Sequence, residues 1–376
     1  MFFTLVRLST VIKPRLKGTY MKKTNVAILF GGMSTEHEIS CRSAAFVINH
    51  IDRDKFDVLL FGITKKGIWY KYQGKTENIV NGTWIKEVQN QKAPLYSTEA
   101  FITELKNIDI VFPVLHGKNG EDGTVQGFLQ VLDIPYVGCG VLASSGCMDK
   151  SVAKAVFKAT GIPQGDYVTL LKKDVETGMN QCIKRCEDLL EYPCFVKPAN
   201  AGSSVGVSKA HNREQLTEAI RLALKFDGRV LVEEYCKGLE VECSVMGNEE
   251  PMVSGTGKIV AGNDFYDYNA KYVNQNSQVI IPSGLDPELE SKVKEYAAAA
   301  YKAMDCSGFA RADFFVDPVE KNVYINEINT IPGCTSISMF PKLWAQDGIH
   351  GKELITRLIE YGFSRYEYVQ SFQMEY

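Results

Sequence analysis

The chain has 376 residues, enough for more than one domain and for a sizeable apolar core. Its 42 Lys and Arg stand against 45 Asp and Glu, a net charge of −3 spread along the whole sequence, which excludes the broad basic footprint of a nucleic-acid or anionic-membrane binder. At 45% hydrophobic and 23% charged it reads as globular rather than disordered, and no apolar run approaches the roughly 20 residues of a membrane span.

Residues 1–20 carry Arg7, Lys13, Arg15 and Lys17 and no acid. Arg7 interrupts the apolar stretch and no small-residue cleavage site follows, so the segment reads as a disordered extension ahead of Met21 rather than a signal peptide. From Met21 onward strands and helices alternate. VAILF ends in Gly31-Gly32, Thr35 and Glu38 have capping-box spacing ahead of a helix to about Asn49, and FDVLLFGIT and IDIVFPVL read as further strands. GTVQGFLQVLD reads as a helix leading to IPYVG, so residues 21–138 read as a doubly wound parallel α/β domain. Asn78 to about Thr98 is polar and turn-rich and reads as a surface insertion. A second unit, 139–235, opens with helical SVAKAVFKATG and holds strands YVTL and CFVKP, the Gly/Ser-rich loop from Gly202 to Gly206, and a helix from about Glu214 to Lys225. The third, 236–376, follows RVLVEEY and has a strand ladder, an Asn- and Tyr-rich loop from Gly262 to Gln278, a helix from about Pro287 to Met304, a hairpin, and a last amphipathic helix over about Lys352 to Tyr361.

The ten cysteines are scattered, no CxxC occurs, and the closest pairs do not cluster with any of the five histidines, so neither a zinc site nor a redox motif follows. The hairpin FARADFFVDPVEKNVYINEINT is more informative. Folded about Glu320, it sets Asp313 opposite Glu327 and Arg311 opposite Asn329, with all four side chains on one face and Ala310, Ala312 and Phe314 on the other. Two carboxylates and an amide carbonyl are hard oxygen ligands, suited to Mg²⁺ that also meets phosphate oxygens. The loop KPANAGSSVGV follows a strand and offers backbone N–H groups for phosphate with Lys197 nearby. It fails the GxxxxGK[ST] spacing, and Gly31-Gly32 fails GxGxxG, which also counts against an NAD-dependent oxidoreductase.

In order along the chain, GGMSTEHEIS, VFPVLHGKNGEDGTVQG, CMDKSVAK, FVKPANAGSSVGVSK, EEYCKGLEVE, FYDYNAKY, GFARADFF and NEINTIPGCTSIS resemble the D-alanine–D-alanine ligases of the ATP-grasp superfamily. The resemblance covers essentially everything after Met21. It implies an α/β, three-domain ATP-grasp architecture with ATP held between the second and third domains, cytoplasmic peptidoglycan-precursor synthesis, and a homodimer. It also implies two Mg²⁺ ions, with Mn²⁺ as a substitute, and no nucleic-acid or membrane partner.

The resemblance also implies residue roles. Lys150, Lys197 and Lys271 would hold the ATP phosphates, Glu233 and the backbone of Cys236 the adenine edge, and Glu240 the ribose hydroxyls. Asp313, Glu327 and Asn329 match the magnesium ligands. Arg311 and the N–H of Gly333 match the donors that stabilise the oxyanion, one such donor being worth about 2.7–4 kcal/mol. Glu36 would bind the first D-alanine's ammonium, His116 would approach its carboxylate, and Ser338 would receive the carboxylate of the second. Ser203 and Tyr272 match a pair linked with Glu36 that closes two loops over the site and excludes water.

Two positions depart from the pattern. Ile337 stands where many relatives have His, and Met339 stands where relatives that make D-Ala-D-Ser or D-Ala-D-lactate often have Arg. Met339, with Tyr272, favours D-alanine over those substrates, Met339 as an apolar wall beside the second substrate. HGKNGEDGT is nevertheless also similar to the D-Ala-D-Ser ligases of vancomycin resistance, the alternative within this reaction class. A non-catalytic small-molecule-binding regulator on the same scaffold would be expected to lose Asp313, Glu327, Asn329 or Arg311, and all are present. Because the first core strand begins only at about Asn25, deleting residues 1–20 is expected to leave the melting temperature and ligase turnover unchanged. A large loss in either measurement would show that the segment packs or acts.

Overall fold

The computed structural model describes residues 22–90, 103–105, 107–260 and 278–373. The 1–20 extension and nearly all of the Asn/Tyr-rich loop, with Lys271 and Tyr272, lie outside them.

β1 (Thr24–Gly31) is buried from Val26 to Phe30 on both faces, which is why it reads as an unbroken apolar run rather than an alternation. α1 (His37–His50) follows, and β2 (Phe56–Ile63) pairs parallel with β1. β3 (Trp69–Tyr72) adds an antiparallel edge. Two short helices follow, α2 (Thr76–Val80) and α3 (Trp84–Asn90), before β4 (Ile110–Pro113) completes the order β3-β2-β1-β4. The capping box expected at Thr35 does not form. The helix begins one residue later, with Glu36 at its N-cap and the Glu36 N–H on Ser34 Oγ at 3.1 Å, while Glu38 turns outward to Lys65 at 2.6 Å. Nor is the described part of Asn78 to Thr98 a surface insertion: Ile79, Trp84 and Val88 are fully buried, and the Trp84 ring meets Phe30 edge-on at 4.9 Å. Their polar neighbours coat the outer face of two helices too short to show a clear period.

α4 (Thr124–Val131) leads to α5 (Val141–Met148) and α6 (Lys150–Ala159). Chain order and packing part company here, because Ala143, Cys147, Ala153 and Phe157 bury into the core of the third sheet rather than the second. The second sheet comprises β5 (Tyr167–Leu171), β6 (Cys194–Pro198), β7 (Ser208–Ala210) and β8 (Arg229–Glu234), in the order β5-β8-β6-β7. α7 (Lys172–Glu187) and α8 (Arg213–Ala223) close its core with Ile183, Cys186, Leu216 and Ile220.

The third sheet, β11-β10-β9-β12-β13, is antiparallel throughout. Its strands are β9 (Leu239–Gly247), β10 (Met252–Val260), β11 (Gln278–Ile280), β12 (Gly308–Asp317) and β13 (Asn322–Asn329). α9 (Pro287–Ala303) lays Leu289, Val293, Ala297 and Ala300 on it at helical spacing, and Asp286 caps its start by accepting from Glu288 and Leu289 at 3.0 Å. α10 (Met339–Gln346) and α11 (Gly351–Gln370) then return to the first sheet, where Leu354, Ile355, Leu358 and Ile359 join its core. α11 runs well past the Tyr361 end read from its apolar stripe, since its last turns carry polar residues and tyrosines.

Replacing fully buried Trp84 by Ala is expected to cost about 3–5 kcal/mol in urea unfolding. A change within about 0.5 kcal/mol would return the segment to the surface.

Candidate active site

Elements around all three sheets surround one cleft of about 440 Å³, which draws Glu36 and His116 from the first region, Lys197 and Glu233 from the second sheet, Arg311 from the third, and Lys150 from the start of α6. The floor is the β12–β13 hairpin. As read from the sequence, Asp313 pairs with Glu327 and Arg311 with Asn329, but the turn is not centred on Glu320. Nearer the turn the register is one residue different, Phe314 opposite Ile325 and Asp317 opposite Asn322. A bulge at Asn326 absorbs the difference and restores the expected pairs at the cleft.

Arg311 forms a two-pronged pair with Asp313, Nε and one terminal nitrogen each 2.7 Å from a carboxylate oxygen, and Nε also lies 2.9 Å from Glu242 Oε2. Burial alone would weaken the guanidinium's hold on its proton, and the carboxylates of Asp313, Glu242 and Glu327 more than reverse this. Glu242 was missed in the sequence, although Glu240 and Glu242 share a face of β9 and the latter stands opposite Asp313. Glu327 lies 3.5 Å from Lys150, whose ammonium also donates to the Ala201 carbonyl at 2.9 Å.

At one end of the cleft, Lys197 donates to Glu233 Oε2 at 2.8 Å and to Asn326 Oδ1 at 3.3 Å. Lys154, also missed in the sequence, approaches Glu233 to 3.9 Å and sits over the Tyr167 ring at 5.4 Å. Burial would raise the Glu233 pKa, but Lys154 and Lys197 hold it below the ordinary carboxylate range. For Lys197, burial acts downward and Glu233 prevails upward. Glu233 Oε1 is buried with no partner among the described residues, an acceptor suited to the exocyclic amine of a purine. Glu240 and Cys236 line the same end, and burial pushes the Cys236 thiol up to about 12.

At the opposite end Ser203 Oγ donates to Glu36 Oε1. Glycine leaves room for the carboxylate here: a Cβ on Gly117 or Gly202 would stand 2.5 Å from Glu36 Oε2. Ser203 and Ser204 themselves adopt φ of 50° and 57°, uncommon for residues with a side chain. Glu121, a further residue the sequence reading missed, accepts the Gly117 N–H at 2.6 Å; burial and then the Glu36 charge raise its pKa well above the carboxylate range. His116 holds Ile331 O at 2.9 Å through Nδ1 and Ser43 Oγ at 2.8 Å through Nε2, and burial takes it down to about 4, leaving a neutral ring. Gly333 lines the cleft, and a Cβ there would lie 3.2 Å from Ser338 Oγ, which accepts the Thr335 N–H at 3.1 Å. Met339 does not wall the cleft: it is buried, with its thioether against Gly257 of β10. As first residue of α10 it faces the sheet that the helix packs on.

Among the described residues no group of three or more His, Cys, Asp or Glu has metal-binding geometry. The oxygen donors Asp313 and Glu327 nonetheless suit a hard divalent cation, since a carboxylate bonded to arginine keeps further lone pairs. Asn329 donates Nδ2 to Asp313 Oδ2 at 3.0 Å, which leaves its Oδ1 as a further oxygen donor.

Sequence profiles for the D-ala D-ala ligase N-terminus and C-terminus match residues 25–139 and 156–360. The chain is 50% identical over 367 residues to the D-alanine–D-alanine ligase of Ruminiclostridium cellulolyticum, covering 92% of this chain and 97% of that protein. It is 47% identical over 364 residues to the enzyme of the same name from Acetivibrio thermocellus, covering 92% and 97%. Among solved structures, the VanG D-Ala:D-Ser ligase of Enterococcus faecalis superposes with a TM-score of 0.81 at 38% identity, over 91% of this chain and all of that one. The D-alanine–D-alanine ligase of Coxiella burnetii gives 0.78 at 34% identity, over 93% and 97%. Fold, cleft and sequence thus agree on the ATP-grasp architecture, and the chain belongs to the D-alanine–D-alanine ligase family.

Proposed function

We propose that this protein joins two D-alanine molecules into D-alanyl-D-alanine for peptidoglycan precursors, consuming ATP and releasing ADP and phosphate. The observation that carries the reading is the sharing of one cleft by Lys150 and Lys197, by Arg311 with its carboxylates, and by the Gly333 backbone. A carboxylate is a poor electrophile, so the γ-phosphoryl group is first transferred to the carboxylate of one D-alanine. The amine of the second then attacks that acyl phosphate, and phosphate leaves.

Lys150, Lys197 and Lys271 hold the phosphates. Glu233 takes the adenine amine on Oε1 beside the Cys236 backbone, and Glu240 takes the ribose hydroxyls. Two Mg²⁺ ions, replaceable by Mn²⁺, would be held by Asp313, Glu327 and Asn329; when bound they neutralise charge on the transferred phosphoryl group. Arg311 and the Gly333 N–H face the oxyanion. Glu36 orients the first substrate's ammonium, Ser203 and Tyr272 hold the loops closed over it, and Ser338 receives the second substrate's carboxylate. We place the reaction in the cytoplasm, where ATP is, with the enzyme acting as a homodimer; no helix among the described residues is long and apolar enough to cross a membrane.

Mass spectrometry of products from ATP with mixed D-alanine, D-serine and D-lactate is expected to show chiefly D-alanyl-D-alanine with measurable D-serine incorporation, because a pocket rejecting only an added hydroxyl discriminates about a hundredfold at most. A preference for D-serine would replace this reading with the resistance-type ligase. Glu327→Gln is expected to abolish nearly all turnover while the protein still folds, and activity within a few-fold of wild type at ordinary Mg²⁺ would remove the metal assignment. Met339→Arg, which forces a guanidinium against Gly257 in a buried site, is expected to lower the melting temperature sharply; an unaltered melting temperature with a shift toward D-serine would instead put position 339 in the substrate pocket.

A further inference from the structure

The backbone that carries Gly333 leaves the end of β13 and runs without regular structure to α10. Side chains hold it in place of a hydrogen-bond ladder. A carbonyl can only accept, so the contact between Ile331 O and His116 Nδ1 puts the imidazole proton on Nδ1. Nε2 is then an acceptor in the neutral ring, and Ser43 Oγ donates to it at 2.8 Å. The same Oγ accepts the Cys334 N–H at 3.1 Å. Ser43 is completely buried on α1, at the far end of the chain from the residues it holds, and His116 is nearly so.

We propose that Ser43 is a positioning residue for the reaction: directly at Cys334 and through His116 at Ile331, it clamps the backbone on either side of Gly333 and so aims the Gly333 N–H at the oxyanion. The inference rests on the reading of Gly333 as an oxyanion donor. Both imidazole nitrogens serve this clamp, which gives His116 a role in holding the protein's own backbone. The depressed basicity of His116 agrees with it, since a protonated ring could not accept from Ser43. Glu121 adds a hold on one side only, through a backbone hydrogen bond from Ile331. Cys334 therefore depends on Ser43 where Ile331 has two supports.

The test compares wild type with Ser43→Ala, His116→Gln and the double variant in steady-state ligation. Complete removal of an oxyanion donor costs about a hundredfold or more, and a donor that is only misaimed loses part of this. Ser43→Ala is expected to lower kcat on the order of tenfold, with KM for ATP and for the first D-alanine near wild type. Adding it to His116→Gln is expected to cost less than the product of the two single losses, because the Ser43–His116 hydrogen bond is shared and only the hold on Cys334 is further lost. Losses that multiply in the double variant, or a raised KM for the first D-alanine with kcat intact, would overturn the proposal.

Hydrogen–deuterium exchange of the 331–338 peptide supplies a readout that needs no turnover. It is expected to quicken in Ser43→Ala while peptides of β6 and β8 keep their wild-type rates. Unchanged exchange at 331–338 would overturn the clamp whatever the activity. Failure of the ligase reading is seen separately, as absence of D-alanyl-D-alanine from the wild-type reaction.

Discussion

Arg311 reaches the cleft floor with its guanidinium largely out of water, and it stays charged because Asp313 on its own strand and Glu242 on the neighbouring strand stand against it. The same constraint organises the rest of the cleft. Lys197 would lose basicity on burial, and the Glu233 carboxylate beside it, which Lys154 also approaches, keeps it charged. Lys150 lies 3.5 Å from the Glu327 carboxylate. Buried ion pairs of this kind contribute little net stability, because desolvation offsets much of the Coulomb attraction, but removing one partner is severe. They are better understood as holding cations in place for a polyanionic ligand than as holding the fold together.

This constraint explains why the cleft needs all three sheets. Arg311, Asp313 and Glu242 come from the third, Glu233 and Lys197 from the second, and Glu36 and His116 from the first region. α5 and α6 follow the first sheet in the chain yet bury their apolar faces in the core of the third. Lys150, at the start of α6, is thereby fixed to the element that also carries Glu327. α11 ties the end of the chain back to the first sheet, so the loop after β13 is braced from both directions. The glycines around Glu36 complete the arrangement by leaving room for its carboxylate in this position, which a Cβ at either would force to shift.

Much of this was legible in the sequence because it is local. The unbroken apolar run of β1 and the 3.6-residue stripe of α9 each follow from short-range sterics and burial. Asp313, Glu327, Arg311 and Asn329 could be brought together on paper because antiparallel pairing and strand alternation are nearly rigid rules. Even there, the turn and the bulge at Asn326 differ from the symmetrical hairpin, and the two differences cancel at the cleft. Ile79, Trp84 and Val88 were misread because helices of one or two turns carry too little periodicity to separate a buried face from a polar loop.

By itself the sequence determined the α/β alternation, the hairpin that aligns the carboxylates, and, through its ordered motifs, the family and reaction class. Only the tertiary structure decided that Glu242 braces Arg311, that Lys154 shares Glu233 with Lys197, that Met339 packs on Gly257, and that Ser43 and His116 grip the backbone around Gly333. Ser43 and Cys334 are 291 positions apart. Hydrogen bonds and ion pairs depend on distance and angle at the scale of an ångström, and for residues so remote in the chain only the packing of the sheets supplies either.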